Sequence, residues 1–89
     1  MEFAYDPKKS AANKAKHGID FETAQELWKD PYVKTINARS HEETRQAIIA
    51  TYQGKQWFAC YTLREERIRL ISVRRAREGE TRLYFGSRV

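Results

Sequence analysis

Three strand-length runs crowd into the stretch from Gln46 to Arg74, and only two short links separate them. Gln46–Gln53 and Gln56–Leu63 flank Gly54 and Lys55, and Arg64–Glu66 leads into Arg67–Arg74. All three runs are rich in β-branched, aromatic and other apolar residues, the composition of strands. A parallel crossover needs a dozen or more residues, so links this short oblige consecutive strands to pair antiparallel. Gly54 supplies the positive φ of a tight hairpin turn. The back half of the chain is thereby committed to a β-meander, which needs something packed on its face.

The front half supplies helices. Asp6 is placed as an N-cap, Pro7 at the first helical position and Gly18 as a left-handed stop, which brackets a helix over Pro7–His17. Asp20 caps a second helix running through Lys29, with Phe21, Ala24, Leu27 and Trp28 on one apolar face, and Asp30–Pro31 ends it. Phe3 and Tyr5 alternate as in a short edge strand, and Tyr32–Ala38 reads as another strand. Ser40–Arg45 is a polar connection in which Ser40 and Glu43 have capping-box spacing. The expected fold is α+β: two N-terminal helices packed on an antiparallel β-sheet of about four strands, then a short C-terminal helix or turn. Gly79 weighs against the helical form of that last piece. With 89 residues, the sequence supports one domain over 1–89.

Charge carries the first functional information. The net charge is +5, and from Arg64 onward eight arginines face four glutamates with no lysine. Guanidinium groups suit bidentate phosphate binding, so the bias points to nucleic acid or an acidic partner. No apolar run approaches the length of a membrane span, and "MEFAYDPKK" lacks the pattern of a signal peptide, so a cytoplasmic location is expected. Cys60 is the single cysteine, and His17 and His41 are far apart, so neither a disulfide nor a metal site is expected.

The sharpest local feature is "RLISVRRAREGETRLY". A strand fit for burial ends in Arg74, Arg75 and Arg77, and strict alternation sets Ile68, Leu70 and Ser72 opposite Arg69, Ile71 and Val73. Arg74 and Arg75 then point to opposite faces. Three cations at one strand end repel unless an anion is present, and a phosphodiester in its transition state is such an anion. Lys16 and His17 stand in the last turn of the first helix, where the helix dipole favours cations, and either can transfer a proton if held near the arginines. His41, beside acidic neighbours, ranks behind His17. RNA carries its own nucleophile in the 2′-OH, so such residues suffice for its transesterification without a cofactor. A non-catalytic basic module is the alternative, with Tyr52, Trp57 and Tyr61 as stacking candidates.

Taken together, "FAYDPKKSAANKAKHGIDFETAQELWKDP", "EETR" and "IRLISVRRAREGETRLY" resemble the BrnT family of bacterial type II toxins, over Phe3 to Tyr84. The matched positions are Asn13, Lys16, His17 and Gly18, then Arg45, then Ser72, Arg74, Arg75 and Ala76, with Glu80 and Tyr84 in the tail. The resemblance implies a RelE-like fold and a ribonuclease that inhibits translation by cleaving RNA. It implies Lys16, His17, Arg74, Arg75 and Glu80 as catalytic candidates, and Arg45, Arg77, Arg82 and Tyr84 as RNA-binding ones. It also implies a BrnA-like antitoxin with a ribbon-helix-helix DNA-binding domain. The two proteins would form a heterotetramer that reaches operator DNA through the antitoxin.

Overall fold

The computed structural model describes residues 2–37 and 45–86, with Asn37 described in its backbone alone. Strand β1 (Glu2–Ala4) leads into helix α1 (Pro7–His17). One α-helical turn, α2 (Phe21–Ala24), continues as a 3-10 segment over Gln25–Lys29. Strands β2 (Lys34–Asn37), β3 (Arg45–Tyr52), β4 (Lys55–Arg64) and β5 (Arg67–Arg75) follow, and helix α3 (Glu78–Gly86) comes last. Of the expected connection over Ser40–Arg45, residues 40–44, with the capping-box pair and His41, lie outside the described residues, and Arg45 is instead the first residue of β3, paired with Thr62.

The architecture is α+β, but the sheet differs from the expected one. It has five strands in the order β1-β5-β4-β3-β2, and β1 runs parallel to β5, with Glu2 opposite Arg67 and Ala4 opposite Arg69. The chain leaves β1 and traverses two helical segments and three strands before β5, a connection long enough to permit parallel pairing. The second helix is also shorter than its apolar face suggests. After Ala24 the backbone tightens, the Asp30 N–H bonds the Leu27 carbonyl, and Pro31 forbids a further turn.

The caps fall where the residue types place them. Asp6 accepts from Lys8 N at 2.8 Å, Asp20 accepts from Thr23 N at 2.7 Å, and Gly18 ends α1 at φ 83°. Helix α1 docks by polar groups instead of its alanines: Ser10 and Asn13 are buried while Ala11, Ala12 and Ala15 face outward. Ser10 Oγ accepts from Phe21 N at 2.8 Å, which joins α1 to α2. The Asn13 carboxamide bonds both peptide groups of Val73 in β5 and the carbonyl of Ile19.

One apolar cluster fills the space between these helices and the sheet. Phe21, Ala24 and Leu27 meet Ile48, Ala50, Ala59, Tyr61, Ile68, Leu70 and Val73. Trp28 packs edge-on against both Phe3 and Tyr61, tying β1 to the centre of the sheet. In β3 the four residues Ala47–Ala50 are all buried, which requires cover on both faces. Helix α3 lies against β3 on the second face, and its Tyr84 is buried with the hydroxyl donating to Asp30. Gly79 is tolerated because it falls in the first turn of α3, where few hydrogen bonds have yet formed.

Strict alternation fails in β5. The register with β4 shifts at Cys60/Tyr61, so Leu70 pairs with Tyr61 and Ser72 with Cys60, and Ile71 is the extra residue of a bulge. The bulge places Ile68, Leu70 and Val73 together on the core face. Both hairpins turn through positive φ, at Gln53 (51°) and Gly54 (76°), then at Glu65 (50°) and Glu66 (66°). The first turn is Gln53–Gly54, one residue earlier than the expected Gly54–Lys55, because Tyr52 pairs with Lys55.

Candidate functional site

The bulge decides where the arginines emerge. Beyond it Arg74 pairs with Phe58 and Arg75 with Trp57, so the two side chains leave on opposite faces of the sheet. The expected site is therefore divided in two.

On the α3 face, Arg74 already has its anion. Its guanidinium forms a fork with Glu80, Nη1 to Oε1 and Nη2 to Oε2, both at 2.8 Å, and sits 4.2 Å above the Phe58 ring. Glu80 Oε1 also accepts from Arg77 N at 2.8 Å, so this carboxylate caps α3 from its third position. The pair is mostly withdrawn from water, with side chains 23% and 18% exposed. The fork to Arg74 is the main force holding the Glu80 carboxyl below the usual carboxylate range, with the Arg77 N–H adding to it. The same fork raises Arg74 above the ordinary arginine value. Cys60 lies nearby; burial pushes its thiol up, and the charges of Arg45 and Arg74 oppose that rise. An internal carboxylate thus answers the repulsion that the clustered arginines create, for Arg74 at least.

On the helix face, Arg75 stands at a cleft. Lys14 and His17 from α1 form one wall with Gly18, Ile19 and Thr23, and Tyr52, Gln53, Lys55, Trp57 and Arg75 form the other. The cleft measures about 440 Å³. The Arg75 guanidinium lies over the Trp57 ring at 5.6 Å, which gives it a platform. Lys14, His17, Lys55 and Arg75 line the cleft, and no carboxylate does. A phosphate entering it meets cations from two sides. A larger cavity, about 820 Å³, sits at the turn between β4 and β5, lined by Glu2, Glu65 and Glu66 with Leu63 and Arg67. Three carboxylates make it a poor place for a polyanion.

Of the expected catalytic residues, His17 and Arg75 share the cleft, whereas Arg74 and Glu80 are joined to each other across the sheet. Lys16 is exposed and does not line the cleft. Arg82 pairs with Glu78 along α3, Arg45 begins β3, and Arg77 is exposed at the start of α3. Tyr84, expected as an RNA contact, is instead a packing residue on Asp30. Lys14 and Lys55 are additions. Helical spacing carried the signal for Lys14, since residues 14, 17 and 18 share one side of a helix while 16 does not. Lys55 directly follows the turn that brings β3 and β4 together. Among the described residues, no three His, Cys, Asp or Glu side chains group as metal ligands, and no helix is long and apolar enough to cross a membrane.

No curated protein matches the chain. A family model described as "Ribonuclease toxin, BrnT, of type II toxin-antitoxin system" matches residues 5–80.

Proposed function

Because the chain belongs to the BrnT family of type II toxin–antitoxin ribonuclease toxins, with an RNA target and an antitoxin partner, we propose that the Arg75 cleft is its RNA-cleaving site. The observation that carries this reading is the lining: two lysines, a histidine and an arginine around one cleft with no carboxylate.

In this reading Arg75, Lys14 and Lys55 hold the scissile phosphate and stabilise the charge that builds on its oxygens. The neighbouring 2′-oxygen attacks phosphorus and the bond to the 5′-oxygen breaks. His17 takes the 2′-OH proton, and the Lys14 ammonium gives one to the departing 5′-oxygen. The products are a 2′,3′-cyclic phosphate and a 5′-hydroxyl. The nucleophile belongs to the substrate, and these side chains supply the acid, the base and the cations, so the step needs no metal-activated water. Arg74 and Glu80 hold the strand end and α3 in place, and Lys16, Arg45, Arg77 and Arg82 contact flanking RNA. The fold is RelE-like, and cleavage inhibits translation in the cytoplasm. Neutralisation is by a BrnA-like antitoxin whose ribbon-helix-helix domain brings a heterotetramer to operator DNA.

Purified protein incubated with RNA in excess chelator should yield cyclic-phosphate ends. Arg75→Ala should lower the rate by about 100- to 1,000-fold, the usual loss when one transition-state donor is removed. Salt-sensitive binding with intact RNA would instead identify a non-catalytic module, and an absolute need for Mg²⁺ would sink the mechanism.

A further inference from the structure

We infer that Asn13 is a positioning residue: its buried carboxamide sets the two walls of the Arg75 cleft at their working distance. The inference rests on the reading of that cleft as the RNA-cleaving site. Asn13 Nδ2 donates to the Ile19 carbonyl at 2.7 Å and to the Val73 carbonyl at 2.9 Å, and its Oδ1 accepts from Val73 N at 3.1 Å. Ile19 stands two residues beyond His17 on one wall. Val73 stands two residues before Arg75, on the same face of β5, on the other. One side chain therefore spans the ends of both cationic walls.

The edge of the sheet explains the arrangement. Val73 pairs with Ala59 but turns its peptide groups away from β4, toward the flank where β1 is bonded. β1 reaches only Arg67–Arg69, and among the described residues no strand continues past it. The edge at Val73 would be left bare. Asn13 stands in as a one-residue strand, giving and taking a hydrogen bond with Val73 as a paired peptide does. Because this substitute strand is fixed to α1, it also fixes α1 to β5.

The chemistry asks for asparagine. A leucine would leave two carbonyls and one N–H unpaired in a buried place. An aspartate keeps the acceptor but sets a carboxylate against two carbonyl oxygens. A glutamine puts the amide about 1.5 Å farther from the helix. Loss of alignment should cost rate more than binding. Long-range attraction between the cations and RNA survives a small shift, whereas a displacement of about 1 Å can cost about 100-fold in rate.

The test compares Asn13→Ala, Asn13→Asp and Arg75→Ala on a short RNA, each well below its melting temperature, with rates normalised to the folded fraction from circular dichroism. For both Asn13 variants, kcat per folded molecule should fall by about 30- to 100-fold while KM stays within about threefold. A residue of purely architectural importance would lower the melting temperature and leave kcat per folded molecule unchanged, which overturns the inference. An inactive Arg75→Ala beside fully active Asn13 variants removes Asn13 alone; a fully active Arg75→Ala removes the cleft reading itself. If neither Asn13 variant folds, amide hydrogen exchange on the wild type decides. Binding an uncleavable 2′-deoxy oligonucleotide should slow exchange at Val73 N–H by several-fold, and no change there overturns the coupling.

Discussion

Glu80 accepts three hydrogen bonds at once, two from Arg74 and one from the Arg77 backbone. Each partner favours the ionised carboxylate, so its folded-state pKa is depressed. The stability it contributes is complete above the unfolded carboxylate value, about 4.3, and is lost as the pH falls through the lower folded value. Glu80→Gln should therefore cost roughly 2 kcal/mol at pH 7. The gap between wild type and variant should narrow as urea melts are repeated from pH 5 down to pH 2. An equal gap at every pH would mean that the carboxylate charge has no part in it. This contact was hidden in the sequence because Arg74 and Glu80 are brought together by the bend between β5 and α3, which no periodicity encodes. Asn13 was hidden for a related reason. Apolar patterning describes helix docking through alanines or leucines, and α1 docks through a serine and an asparagine.

At the scale of elements, the turns were legible and their strain was not. Glu65 and Glu66 occupy left-handed backbone at φ 50° and 66°, positions that cost a side chain with a Cβ about 1–2 kcal/mol each. Their side chains also set two like charges at one tip. Replacing the pair by Asn-Gly, the preferred residues for such a hairpin, should raise stability by about 1–2 kcal/mol and the melting temperature by several degrees. The turn lies far from the cleft, so calorimetry on the double variant should show this rise with cleavage unchanged. The capped helices and the three late strands followed from local signals in Asp6, Gly18, Asp20 and Gly54. The bulge did not, since Leu70, Ile71 and Val73 are all apolar and satisfy either register. Only the pairing with β4 reveals that Arg75, and not Arg74, shares the core face.

For the whole molecule, the total charge pointed to the right class of partner without showing where cations from separate elements converge. The arginine-rich tail drew attention to residues 74–82, yet the cleft collects Lys14 and His17 from α1, Lys55 from β4 and Arg75 from β5. Their convergence depends on topology, because α1 must pack on β5 and the turn of the β3–β4 hairpin must reach the C-terminal end of α1. Binding to single-stranded RNA should weaken linearly in log–log plots against salt, with a slope near −0.7 for each phosphate neutralised. Arg75→Ala should reduce the magnitude of that slope by roughly 0.7. Lys9→Ala, outside the cleft lining, should change it less. Titrations between 50 and 300 mM salt at two or more RNA lengths would check both.

The parallel pairing of β1 with β5 has a consequence for how such a protein comes into being. Residues 2–4 leave the ribosome well before their partners at 67–69, which emerge only after the helices and three strands between them have been made. The cleft follows the same schedule, since Lys14 and His17 wait for Arg75. Nascent chains that stall or terminate before β5 carry a helical front and an unfinished sheet, with no second wall to the cleft. With the Arg75 cleft as the RNA-cleaving site proposed above, activity would come only from chains carried through β5, which leaves the antitoxin the interval of their synthesis in which to be ready.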